Sequence, residues 1–199
     1  LEYNVPVTPE TIFEAGSVSK QFAAAAIQLL ARDGKLTLAD DVRKFVPEVP
    51  MFGPLITIKH LLTHTSGIRD QWGLLTAAGR PPGRAVHTLE EILDLVSRQR
   101  DLNFTPGADY LYSNTGYALM AWVVLRASGQ SLADFSMEKI FKPLGMSSTQ
   151  WRDDFSEIVK GRATAYSQAR DGTYHQDMSF TDSFFETMSM SDSRRDSLI

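Results

Sequence analysis

The sequence predicts a mixed α/β chain in which helices dominate, and three observations carry that prediction. A short extended segment, Thr11-Ile12-Phe13-Glu14-Ala15-Gly16, runs into a long alanine-rich stretch from Gln21 to Arg32. Helix-start signals followed by apolar helical spacing recur at Thr57, Thr88, Asn114 and Ser131. Strand-like sequence is confined to short pieces, with a hairpin over residues 164–174 about Asp171-Gly172 and Tyr166 and Tyr174 on its arms.

Taken in order, residues 1–10 are extended and punctuated by Pro6 and Pro9, and residues 11–13 read as a short strand or turn. A helix from Ser17 to about Asp33 carries Phe22, Ala26, Ile27 and Leu30 as an apolar stripe, with Gly34 as a left-handed stop. Asp40-Asp41 is a further helix-start signal, before Pro47 and Pro50 break the chain. Residues 57–62 form a short helix closed by His64-Thr65-Ser66-Gly67, and residues 68–87 read as an irregular loop. Thr88-Leu89-Glu90-Glu91 is a capping box for a helix over 89–99. After the turn at Phe104-Thr105-Pro106-Gly107, an apolar helix opens at Tyr112-Ser113-Asn114 and ends near Gly129. Ser131 caps a helix over 132–141. Residues 1–175 are expected to form one domain, and residues 176–199, which lack Gly, Pro and any clean period, a flexible tail.

Composition excludes several classes. A net charge of −4 gives no footprint for nucleic acid or an anionic membrane surface. The absence of cysteine rules out disulfides and thiolate metal sites. No apolar run approaches the length of a membrane span. Hydrophobic content of 43% in 199 residues is enough for one domain with its own core.

The chemistry begins at Ser17-Val18-Ser19-Lys20. Residues three apart on a helix share a face, so a hydroxyl and an amine stand side by side and the amine is able to take the hydroxyl proton. Ser136-Met137-Glu138-Lys139 repeats the spacing inside an amphipathic helix and reads as structural. Tyr112-Ser113-Asn114 adds a phenol able to relay a proton and a carboxamide able to orient an amide. Trp72 either lines a cleft or packs. His60 and His64, four apart, form a histidine pair without an evident third metal ligand, and a structural role is expected for them. His87 and His175 are isolated and expected to be solvated. No metal or cofactor is called for.

Together these residues resemble the serine β-lactamase and penicillin-binding-protein superfamily, in its class C β-lactamase-type branch of β-lactamases, D-alanyl-D-alanine carboxypeptidases and esterases. Pro9-Glu10-Thr11-Ile12-Phe13, Ser17-Val18-Ser19-Lys20-Gln21-Phe22 and Gly34-Lys35-Leu36 are typical of that branch. So are the run from Ile58 through His64-Thr65-Ser66-Gly67 to Ile68, Phe104-Thr105-Pro106-Gly107, Tyr112-Ser113-Asn114-Thr115-Gly116-Tyr117 and Pro143-Leu144-Gly145-Met146. The resemblance implies a β-lactamase/transpeptidase-like α/β fold, a helical cluster packed on an antiparallel sheet. It implies Ser17 as the acylated nucleophile, Lys20 as its proton acceptor, Tyr112 as a relay and Asn114 as a contact to lysine and substrate, with Trp72 lining the cleft. The Ser17 backbone N–H would supply half of an oxyanion hole.

Three departures accompany the resemblance. The family's later Lys/His-Ser/Thr-Gly motif has no counterpart in this sequence, strands expected before the serine helix are not present, and a glycine-free stretch stands where a glycine-rich segment is expected. The chain is therefore expected to be an incomplete domain. Two functions follow. One is a serine acyl-hydrolase acting on β-lactam, D-alanyl peptide or ester substrates, by resemblance in a bacterial periplasm or secreted. The other is a catalytically impaired fragment or interaction protein that retains the scaffold. Uncovered apolar faces would favour self-association.

Overall fold

The computed structural model describes residues 4–81, 86–152 and 156–176, together with the backbone of Met188–Met190. Its centre is α5 (Asn114–Ser128), which packs against each of the other described α-helices: α1 (Lys20–Arg32), α2 (Ile58–Leu62), α3 (Gln71–Ala77), α4 (Leu89–Ser97) and α6 (Leu132–Ser136). The reason is in its composition. Ala118, Leu119, Met120, Ala121, Val123 and Val124 are all buried, so apolar residues occupy most of its circumference. A helix with so little polar face has to be enclosed. Gly116 permits the approach of α2, since a Cβ there would lie 3.3 Å from the Leu61 carbonyl oxygen.

The strand-to-helix turn forms as expected. The chain passes from β1 (Phe13–Glu14) through Gly16, whose φ of +51° is left-handed, into a 3₁₀ turn over Gly16–Ser19 and then α1. Ala23, Ala26, Ile27 and Leu30 form the buried stripe of α1. Gly34 ends it with φ +71°, while the Gly34 and Lys35 N–H groups close back on Ala31 and Leu30 in a Schellman arrangement. Asp41 caps only a 3₁₀ turn, Val42–Lys44. Thr57 and His60 cap α2 reciprocally, with His60 Nδ1 in the place a glutamate usually takes.

Several expectations change. Residues 68–87 are not wholly irregular, because Asp70 caps α3 by accepting the Trp72 N–H. Gly73, a poor helix former, hid this helix. Thr88 caps α4, but Glu91 turns away from the cap to meet Arg80 at 2.8 Å and His87 at 3.4 Å. His87 is 1% exposed and lies edge-on to Trp72, so the expectation of a solvated His87 is corrected, whereas His175 is exposed. The helix expected over 132–141 is α6 followed by a π turn, Met137–Phe141, that delivers Phe141 to the core against Phe22.

The described sheets are small. β5 (Met188–Met190) lies between β1 and β2 (Gln150–Trp151), antiparallel to both, with Phe13 opposite Met190 and Trp151 opposite Met188. The segment expected to be a flexible tail thus contains the middle strand of this sheet; residues 177–187 and 191–199 lie outside the described residues. β3 (Tyr166–Gln168) and β4 (Tyr174–Gln176) make the expected hairpin.

Gly67 gives a direct test of the packing. Its φ is +73°, and a Cβ there would stand 2.2 Å from the Phe104 carbonyl oxygen. Gly67→Ala is expected to destabilise the chain by at least about 2 kcal/mol, read as a lower urea midpoint at unchanged slope. An unchanged midpoint would show that the loop moves aside freely.

Candidate active site

Three segments meet at Ser17. The 3₁₀ turn presents its hydroxyl at the surface. One turn on, Lys20 Nζ donates to Ser17 Oγ at 3.0 Å. From the start of α5, Tyr112 Oη lies 2.7 Å from the same Oγ, across 95 positions of sequence. Ser17 Oγ therefore has an amine and a phenol within hydrogen-bond reach, two groups through which its proton can be exchanged. Lys20 Nζ is also 5.1 Å from the Tyr112 ring centroid and 5.6 Å from that of Tyr117, close enough for cation–π attraction. Below it a small cleft is lined by Ser19, Lys20, Ala23, Asn114, Tyr117 and Trp151.

His64 orders the phenol side. It lies just past the end of α2 with φ +57°, a conformation few non-glycine residues adopt. Its ring sits 4.5 Å from Tyr112 and 5.3 Å from Tyr117, measured between centroids. Its Nδ1 accepts the Ser113 N–H at 3.2 Å, and its carbonyl accepts the Leu111 N–H at 3.0 Å. Burial, and then the neighbouring Lys20, hold the imidazole below the ordinary histidine range. Tyr117 donates to the Leu62 carbonyl at 3.1 Å, and burial, then Tyr112 and Tyr110, push its phenol up.

The Asn114 end is held from the other side. Asp70 Oδ2 accepts both the Asn114 backbone N–H at 2.5 Å and its side-chain Nδ2 at 3.1 Å. Thr115 Oγ1 accepts the Gln71 N–H at 2.7 Å and donates to the Arg69 carbonyl at 3.0 Å. Asn114 Oδ1 is buried and has no hydrogen-bond partner among the described residues.

Ser17, Lys20, Tyr112 and Asn114 are thus brought together. Trp72 is placed differently: it is half-buried, packs with Leu75, Ile92 and Ala118, and reaches this group through its N–H on Asp70. The second Ser-x-x-Lys copy comes apart, with Ser136 fully buried and Lys139 exposed and paired to Glu138. His60 and His64 each use Nδ1 to accept a backbone N–H, and among the described residues there is no acidic or histidine cluster suited to a metal. Sequence reasoning missed His64 and Asp70 as site supports. An aspartate directly before Gln71-Trp72 was readable as a helix cap. The contact of His64 with Tyr112 had no local signal.

The Beta-lactamase family model matches residues 1–181. A penicillin-binding protein of Bacillus subtilis (strain 168) is 39% identical over 146 residues, covering 73% of this chain and 32% of that protein. A D-aminopeptidase of Brucella anthropi is 32% identical over 149 residues, covering 72% of this chain and 27% of that protein. The octameric penicillin-binding-protein homologue from Pyrococcus abyssi superposes with a TM-score of 0.78 at 32% identity, covering 96% of this chain and 44% of its own. The chain belongs to the Beta-lactamase family. It spans 27–32% of the length of these curated relatives and 44% of the solved one.

The lowered His64 sets a pH dependence. An imidazole depressed in the folded state contributes stability that is present above the ordinary value of about 6.5 and is lost as pH falls through the lower folded value. His60, also lowered by burial, acts in the same direction. Wild-type chain is expected to lose stability between pH 7.5 and pH 5.0 in urea titrations. His64→Asn, which tolerates the left-handed backbone and does not titrate, should lose less. Equal losses in both would contradict the assignment.

Proposed function

We propose that this chain carries the nucleophile, its proton acceptor and its relay for acyl transfer at Ser17. The observation that carries the reading is the placement of one exposed hydroxyl within 3.0 Å of Lys20 Nζ and 2.7 Å of Tyr112 Oη. Ser17 Oγ attacks an amide or ester carbonyl while its proton passes to Lys20. Tyr112 Oη, bonded to the same oxygen, relays a proton to the leaving group. The acyl-enzyme is then released by water. Asn114 faces the cleft beside Lys20 and holds amide groups of the substrate. The Ser17 backbone N–H is assigned as one oxyanion donor.

The substrate class is a β-lactam, a D-alanyl peptide or an ester. Support comes from the family and from relatives named as a penicillin-binding protein and a D-aminopeptidase. Trp72 enters the proposal as a support for the Asp70 cap rather than as a wall touching substrate. Self-association belongs to the same proposal, because Val5, Val7 and Phe13 stand exposed here and the Pyrococcus abyssi homologue is octameric.

A fluorophosphonate probe is expected to modify Ser17, and Ser17→Ala should abolish the adduct. Lys20→Met should slow labelling by about a hundredfold or more, the usual worth of a positioned base. Peptide mapping that places the adduct on Ser136 or Ser113 would overturn the assignment. Absence of any adduct would favour a scaffold without catalysis.

A further inference from the structure

We propose that His64 is the positioning residue for the Tyr112 relay and that it serves only as a neutral imidazole with its proton on Nε2. The inference rests on the acyl-transfer reading and deepens it, because it names what holds the phenol against Ser17 Oγ. Tyr112 is 41% exposed, so packing alone does not confine it. His64 brackets it along the chain. Its carbonyl accepts the Leu111 N–H at 3.0 Å and its Nδ1 accepts the Ser113 N–H at 3.2 Å, so the residues on either side of Tyr112 are both tied to one partner. The imidazole also packs on the Tyr112 ring, 4.5 Å between centroids at a tilt of 31°. Tyr112 Oη then lies 2.7 Å from Ser17 Oγ. Movement of that short segment would move the phenol with it.

The protonation state follows from the Ser113 bond. A backbone N–H only donates, so the nitrogen that accepts it carries a lone pair and the ring proton sits on Nε2. An imidazolium carries a proton on both nitrogens. Its Nδ1–H would meet the Ser113 N–H, two donors with no acceptor between them, and the bond that follows Tyr112 would open. The groups facing the ring pull both ways. Lys20 of α1 opposes a positive charge, and Asp70, the cap of α3, favours one. The ring faces of Tyr112 and Tyr117 would also attract a cation, and Tyr110 meets the imidazole edge-on at 5.9 Å. On its own element, Lys59 and His60 lie about one turn back, in α2. Burial, the largest effect, and then Lys20 hold the imidazole below the ordinary histidine range, which keeps the clasp closed at neutral pH.

The test uses the full 199-residue chain and the rate of fluorophosphonate labelling at Ser17. His64→Gly keeps the left-handed backbone and the carbonyl and removes the ring acceptor. His64→Asn sets an amide oxygen near the place of Nδ1 and does not titrate, and asparagine also accepts a left-handed backbone. At pH 7.5, His64→Gly should slow labelling roughly ten- to hundredfold, the cost of a small misplacement of a reacting group, and by no more than Tyr112→Phe does. His64→Asn should recover most of that loss. In a Tyr112→Phe background, His64→Gly should slow labelling by no more than about twofold further. The ratio of the wild-type rate to the His64→Asn rate removes the pH dependence that both chains share. It should be level above about pH 6.5 and fall by roughly the His64→Gly factor as the imidazole gains its proton, tracking the His64 titration read by NMR. In wild type at pH 7.5, nitrogen-15 NMR should find the His64 proton on Nε2 and none on Nδ1. The Ser113 amide should exchange slowly with water in wild type and His64→Asn, and fast in His64→Gly.

A proton on Nδ1, failure of His64→Asn to recover what His64→Gly loses, or a full His64→Gly effect in the Tyr112→Phe background would overturn the proposal. So would a rate ratio that stays level through the His64 titration, or one that falls without it. If wild-type Ser17 takes no label, the acyl-transfer reading falls and NMR alone decides on His64. A proton on Nδ1, or Ser113 exchange unchanged in His64→Gly, would then overturn the clasp.

Discussion

The structure depends on the enclosure of α5. Leu119, Met120, Val123 and Val124 are each essentially inaccessible to solvent. Burying side chains of that size stabilises a fold by about 1.5–3 kcal/mol each. The five other described α-helices supply the cover, and that cover fixes where α5 begins. Its first residues emerge beside the start of α1, which packs along it. A phenol and a carboxamide from one helix start thus come to face a hydroxyl and an amine from another. The polar contacts among them act at distances of 2.7–3.0 Å, and the apolar packing is what sets those distances.

Around this core a polar frame limits the freedom of the site. His64 supports Tyr112 by stacking and by accepting the Ser113 N–H, while Asp70 and Thr115 support Asn114. His64 and Asp70 come from one stretch of chain, between the end of α2 and the start of α3. That stretch is pinned by Gly67, whose left-handed backbone passes against the Phe104 carbonyl. Under the proposed acyl transfer, a frame of this kind would hold the geometry before substrate arrives, which is the condition for proximity to contribute to rate. The Ser17 end is framed more lightly, by a 3₁₀ turn entered through Gly16.

The parts of this arrangement that were legible in the sequence are those with local signals. The Ser17–Lys20 spacing, the apolar run of α5, the Gly34 and Gly129 stops and the Asp171-Gly172 hairpin each follow from residues close together in the chain. What was not legible depends on distant partners. His87 reads as an isolated polar residue, and only the folded chain puts Trp72 and Glu91 around it. Glu91 sits at the capping-box position and still turns to Arg80, because an ion pair there competes with the cap. The strand Met188–Met190 is too short for a period of two to show, and its identity comes from β1 and β2 on either side. Family resemblance pointed to Asn114, but the acceptor of its side-chain amide, Asp70, lies 44 positions away.

The central claim is that Lys20 and Tyr112 act on the Ser17 hydroxyl as one unit. The most direct measurement is the second-order rate constant for phosphonylation of Ser17 in wild type, Lys20→Met, Tyr112→Phe and the double variant. Groups that serve a single proton transfer are strongly non-additive. The account predicts that each single change slows the reaction by a similar large factor and that the double variant is slower than either by no more than about threefold. Effects that multiply, or a Tyr112→Phe variant that reacts at the wild-type rate, would contradict it.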